Sequence, residues 1–197
     1  MDGIKPGEPE REFLTYEELQ AVAKAECEIP LLKTAFLFSA MTGLRWSDVQ
    51  KLVWSEVQHS KEVGYYIRFR QKKTKGAETL PISEQAFGLL GERGNPEDRV
   101  FIGLKYSAAE DRVFIGLKYS AWHNLKLQQW VMRGGVTKTI TFHCARHTYA
   151  TLQLTLGTDI YTVSKLLGHK DLKTTQIYAK IIDDKKKVAA NKIVLDL

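Results

Sequence analysis

Apolar positions recur at helical spacing towards both ends of this chain and alternate strictly only once, between them. Near the start, Thr15, Glu17 and Glu18 fit a capping box, with the Thr15 hydroxyl and the Glu18 carboxylate satisfying free amides at a helix start. A helix through about Ala25 follows. Pro30 suits the first turn of the next helix, whose Leu31, Leu32, Ala35, Phe36, Phe38 and Met41 predict heavy burial. Ser47 and Gln50 form a second candidate capping box, which puts Arg45 in the turn leading into a third helix. Then Tyr65, Ile67 and Phe69 alternate with Tyr66, Arg68 and Arg70, a strand with one apolar and one basic face. Lys72, Lys73, Thr74, Lys75 and Gly76 supply a turn, Glu78 to Ile82 return as partner, and Leu52 to Val57 are the candidate third strand. From Ser83 onward the period is helical, with Gly157 and Gly168 as stops. The pattern predicts an α+β fold, mainly helical, with a small antiparallel three-stranded sheet.

Length changes this picture little: 197 residues suffice for one substantial domain and are short for two. Residues 1–12, rich in Gly, Pro and charge, read as a linker or as an artificial start to the chain. A hydrophobic fraction of 44% is ordinary for a chain with a real core. The net charge of +6 favours an anionic partner, nucleic acid first. Cys27 and Cys144, the two cysteines, have neither metal-site nor disulfide-framework spacing and read as reduced thiols. The opening residues are polar, and no apolar run approaches the roughly 20 residues that cross a bilayer. The expected location is the cytoplasm, in association with the nucleoid.

One segment stands apart. Glu97 to Ala108 recurs unchanged as Glu110 to Ala121, with Ala109 between the copies. Two copies do not make a solenoid, which needs at least three stacked units. Identity without drift points to a recent duplication or to an error of cloning or record, rather than to a functional repeat.

The candidate chemistry lies in the C-terminal third. His143, Arg146 and His147 are followed by Leu167, Gly168 and His169, then by Tyr178, while Thr42, Gly43, Leu44 and Arg45 offer a second guanidinium upstream. His143 and Arg146 are three apart, so on a helix they share a face and can reach one phosphate. Arginine suits phosphate because its planar fork makes two parallel bonds and keeps its charge. A tyrosine phenol ordinarily titrates near ~10, so attack on phosphorus needs a base nearby or a cationic setting. His169 precedes Tyr178 by nine positions, so a turn near Lys170 to Thr174 must fold the pair together. Two arginines, two histidines and one tyrosine make a phosphoryl-transfer site without a metal. His59 and His123 receive no role.

These residues resemble the tyrosine recombinases, or phage-integrase family, in their C-terminal catalytic domain. The resemblance rests on Thr42 to Asp48, on the hairpin Lys72 to Gly76, on His143 to Thr148, and on Leu166 to His169 followed by Tyr178. Its closing words, Thr174 to Tyr178, are similar to integrases of conjugative transposons and other mobile elements. It implies that Arg45 and Arg146 clamp the scissile phosphate, that His143 manages protons and bonds a phosphate oxygen, and that His169 donates another bond. Tyr178 would attack phosphorus and join a DNA 3′-phosphate, releasing a 5′-hydroxyl. Lys73 would protonate that leaving oxygen as general acid, with Lys72 and Lys75 as rivals, and Asp48 would support the site from behind. A second strand's 5′-hydroxyl would then resolve the phosphotyrosine. No metal or organic cofactor is implied.

The resemblance places the catalytic domain at 13–182 and a tail at 183–197 that either packs on its own core or docks on a neighbouring protomer. The implied partner is double-stranded DNA, gripped by a homotetramer in the full-length protein, with DNA-bending accessory factors possible. Full members hold DNA between two domains, and only 44 residues precede Arg45, so this chain is expected to bind DNA weakly and with little sequence choice. The implied function is integration or excision of a mobile element. The rival readings are a DNA-binding module silent without its N-terminal partner domain and a topoisomerase of type IB that relaxes supercoils.

Overall fold

A computed structural model describes residues 12–70, 77–101 and 121–178. Helix α1 (Tyr16–Lys24) opens on the predicted capping box, Thr15 Oγ1 accepting from the Glu18 amide and Glu18 answering to the Thr15 amide. Lys138 binds the same carboxylate at 2.6 Å, tying this helix start to the loop before the site helix. Helix α2 (Pro30–Thr42) begins with proline in its first turn and is buried along most of its length. A four-residue helix α3 (Trp46–Val49) follows directly.

The sheet is an antiparallel meander in the order β1 (Val57–Ser60), β2 (Gly64–Arg70), β3 (Ala77–Pro81). Val57 pairs with Ile67, which pairs with Leu80, and all three face the core. Arg68, on the other face, is exposed. The third strand therefore lies at Val57–Ser60, not at Leu52 to Val57. Within that earlier stretch Trp54–Glu56 form a 3-10 turn, and Val53 makes an isolated bridge to Arg99. Leu52 and Trp54 are buried on either side of half-buried Val53, so an alternating pattern arises here without a strand.

Helix α4 (Glu84–Gly88) caps the sheet, with Phe87 stacked on Tyr65 at 3.8 Å between centroids. Helix α5 (Ala121–Arg133), the site helix α6 (Phe142–Thr155) and α7 (Ile160–Leu166) complete the helical part. Two 3-10 turns, Leu172–Thr174 and Gln176–Tyr178, carry the chain back towards α6. The first copy of the duplicated segment opens inside this fold: Phe101 is buried beside Phe38 at 5.4 Å. The remainder of the repeat up to position 120, the hairpin turn with Lys72, Lys73 and Lys75, and the tail at 183–197 lie outside the described residues.

Phe36 on α2 meets Trp130 of α5 and Phe142 of α6 edge-on at 5.6 and 5.8 Å, so three helices share one aromatic joint. Phe142 also meets Trp46 at 4.7 Å, which fixes the start of α3 against the start of α6. Burial separates a large core from a smaller cluster of Tyr149, Ala150, Leu154, Val163, Leu167 and Tyr178. Cys27 and Cys144 are free and buried. No helix among the described residues is long and apolar enough to cross a membrane.

Candidate active site

The site is built where the end of α2, the first half of α6 and the turn after α7 meet. Gly43 ends α2 in the left-handed conformation, φ 71°, with its amide on the Ser39 carbonyl. A Cβ there would lie 2.7 Å from Tyr149 Cδ1 and 2.9 Å from Leu167 Cδ2. Only glycine permits both the turn and this close approach. The turn delivers Arg45 to the N-cap position of α3, where its carbonyl accepts from the amides of Asp48 and Val49. No side chain caps α3, so the Ser47–Gln50 capping box does not form: Ser47 lies inside the helix because Arg45 has already taken the boundary.

Arg146 is 5% exposed and donates two 2.6 Å bonds, one from each terminal nitrogen, to the carbonyls of Gly43 and Leu167. Those carbonyls terminate α2 and α7, so one guanidinium joins the ends of two helices to the middle of a third. Burial and then the Arg45 charge pull Arg146 down to about 10, while Tyr178, Asp48 and Tyr149 act the other way. It stays charged at neutral pH. Helix α7 ends at Gly168, φ 61°, and the His169 amide turns back to the Ser164 carbonyl. His169 is half-buried, its Nδ1 2.8 Å from the hydroxyl of fully buried Thr175. Burial, then Arg146 and Arg45, push His169 down to about 4, so it is neutral at physiological pH.

Tyr178 is 6% exposed and belongs to the smaller apolar cluster. Its phenol lies 2.7 Å from Nδ1 of His147. His147 in turn packs edge-to-face with His143 one helical turn earlier, at 4.6 Å and 89°. His143 itself is exposed at the first turn of α6. Arg45, Asp48, His169 and Tyr178 are thus each within electrostatic reach of Arg146, and His143 packs on His147, the partner of the Tyr178 phenol. Lys73 lies outside the described residues.

Four participants received no role in the sequence reading. His147 was named beside Arg146 but given no role, although its spacing of four from His143 was a usable signal. Thr175 and the two backbone carbonyls left no local signature. His123 is a core residue: it is 3% exposed, packs on Trp46, and burial lowers its proton affinity.

The fold is that of recombinase catalytic domains. It superimposes on the XerA recombinase with a TM-score of 0.67 at 20% identity, over 98% of this chain and 68% of that one. The catalytic domain of bacteriophage HP1 integrase matches with a TM-score of 0.60 at 23% identity, over 94% of this chain and 100% of that one. Residues 12–185 match the phage integrase family model, and the chain belongs to that family. Tyrosine recombinase XerC of Chlamydia muridarum is 45% identical over 179 residues, 85% of this chain and 53% of that protein. XerC of Chlamydia trachomatis serovar D is 30% identical over 140 residues, 71% and 43% of the two lengths. The chain spans about half the length of these relatives.

Proposed function

We propose that this chain cuts and rejoins DNA strands through a covalent 3′-phosphotyrosyl intermediate, as the catalytic domain of a site-specific recombinase. One observation carries the reading: the Tyr178 phenol is held against α6 beside the paired cations Arg45 and Arg146. Phosphoryl transfer places negative charge on non-bridging oxygens, and guanidiniums already fixed there stabilise that charge most at the transition state. Arg146 is fixed in advance by two carbonyls, so it needs no reorganisation when a phosphate arrives. His169 and His143 complete the bonds to the phosphate, and Asp48 supports the arginines from α3. Lys73 serves as general acid towards the departing 5′ oxygen. The exchange conserves the phosphodiester bond energy, so no nucleotide is consumed.

Family membership and relatives such as XerC support double-stranded DNA as the substrate. Solved relatives of this fold include XerH on its difH substrate after cleavage and a lambda integrase dimer on a core site. The wider reading includes a homotetramer on DNA, bending factors as accessories, a tail at 183–197 exchanged between protomers, a cytoplasmic location, and integration or excision of a mobile element.

The test uses a pool of nicked suicide duplexes with randomised cores. A protein–DNA adduct that survives denaturation and is lost in Tyr178→Phe is expected. Absence of any adduct refutes the enzyme reading in favour of a silent DNA-binding module. Relaxation of supercoiled plasmid without strand exchange between duplexes favours a topoisomerase.

A further inference from the structure

The chemistry above leaves one buried imidazole without work. His147 is 7% exposed, sits in the middle of α6, and follows the pinned Arg146 directly. Its Nδ1 is 2.7 Å from the Tyr178 hydroxyl. A general base has to come within about 2.6–3.2 Å of the atom whose proton it takes, and His147 meets that condition before any DNA arrives. Hydroxyl nucleophiles also depend on a base that a third group holds in orientation. The edge-to-face packing of His143 on His147 supplies that third group from one helical turn away. A single rigid stretch of α6 therefore fixes both a phosphate-binding cation and a partner for the nucleophile. The short turn Gln176–Tyr178 brings the phenol to them.

We propose that His147 is the proton acceptor for Tyr178, an inference that rests on the transesterification reading above. His147 in its neutral form, with hydrogen on Nε2, takes the phenol proton at Nδ1 as Oη forms its bond to phosphorus. The bond between phosphorus and the 5′ oxygen breaks, and that oxygen receives a proton from a separate acid, Lys73 in the present reading. In the return step the incoming 5′-hydroxyl gives its proton to the Lys73 amine and its oxygen bonds phosphorus. The Oη–phosphorus bond then breaks, and the imidazolium returns its proton to Oη. His143 is left to bond the phosphate and to orient His147. The charged and titratable groups tied to the pair are His143 on the same helix and Arg146, which acts on Tyr178; through Arg146 come Arg45, Asp48, Tyr149 and His169.

Three arms test this. Single-turnover adduct formation is measured against pH for the parent, His147→Ala and His147→Asn. Both variants should lose at least about 10²-fold in rate, the usual contribution of a general base. Both should also lose the limb of the parental profile that rises as an imidazole deprotonates. Asparagine keeps a polar atom near the Nδ1 position, so recovery of the parental rate and limb in His147→Asn would reduce His147 to a holder of the phenol and overturn the proposal. The second arm uses a 5′-bridging phosphorothiolate duplex, whose thiol leaving group needs no protonation. It should rescue Lys73→Ala and leave His147→Ala slow; rescue of His147→Ala places His147 on the leaving group and also overturns the proposal. The third arm is independent of activity: the His147 imidazole is titrated by nuclear magnetic resonance in the DNA-free parent and in Tyr178→Phe. A moved titration is expected, and an unmoved one removes the contact and the proposal with it. A parent with a moved titration that forms no adduct refutes the transesterification reading, leaving the pair as a structural contact only.

Discussion

A single side chain, Arg146, does two jobs that separate cleanly under substitution. Its two terminal nitrogens satisfy the carbonyls of Gly43 and Leu167, and its charge lies beside Arg45 and Tyr178. Lysine keeps a charge but has no fork that can span both carbonyls. A buried carbonyl left unpaired costs about 1–3 kcal/mol, so Arg146→Lys is expected to lower stability in urea unfolding by roughly that amount. Its adduct rate should fall by about 10²–10³-fold, as for loss of one fixed transition-state donor. His169 gives the pH dependence. Its folded value of about 4 lies below the 6.5 of an unfolded histidine. As pH falls below 6.5 the unfolded chain takes the proton first, so stability drops from there down to about pH 4. Thermal melting of the parent over that range should show the loss, and His169→Asn should show less of it. A DNA phosphate between the arginines offsets the charges that depress His169. Its titration should therefore move upward on binding, and DNA affinity should rise on mild acidification. Residue types were legible from sequence at this scale because arginine, histidine and tyrosine announce their chemistry. The partners of Arg146 and the His147–Tyr178 bond were not, since carbonyls are anonymous and the phenol lies 31 positions along the chain.

Among the elements, those governed by neighbours a few residues away could be read directly from sequence. The Thr15–Glu18 box and Pro30 at the start of α2 are of this kind, because cap chemistry is complete within one turn. The misplaced strand shows the limit. Leu52 to Val57 carry β-type residues, yet the pairing is decided by Ile67, ten positions beyond Val57 and reached only once the chain turns back. The phantom cap at Ser47 fails for a similar reason, since the left-handed Gly43 had already fixed the boundary at Arg45. How the elements are joined leads to a further prediction. Phe142 contacts both Phe36 of α2 and Trp46 of α3, so it sets the separation between the helix ends that present Arg45 and Arg146. Phe142→Ala is expected to cost about 3–5 kcal/mol in urea unfolding, the usual range for a buried Phe truncation. Thr148 offers a subtler probe, as its hydroxyl accepts from the buried Leu14 amide at 2.9 Å and anchors the segment before α1 to α6. Thr148→Val keeps the volume but orphans that amide, so a loss of about 1–3 kcal/mol should follow.

For the molecule as a whole, the proposed function makes charge decide how DNA would be held. The net charge of +6 is spread over a chain that spans about half the length of the relatives it matches. Two modes of binding follow, and salt separates them. If only the scissile phosphate between Arg45 and Arg146 is engaged, log affinity should fall against log salt with a slope of about −0.9. If the wider basic surface, the exposed Arg68 face of β2 included, tracks the backbone, each further phosphate adds about the same again. A footprint of about four phosphates then costs roughly 10²-fold between 50 and 200 mM salt. The wider mode is expected, because one phosphate held by two guanidiniums is too short a grip to set the register of a duplex. Phosphate contacts carry no base identity, so affinity for random duplex should stay within a few-fold of that for any cleaved site. Fluorescence anisotropy titrations across that salt range check both expectations. A slope near −1 would mean that the scissile phosphate alone is engaged, and selectivity of several hundred-fold would mean that base contacts add to the grip.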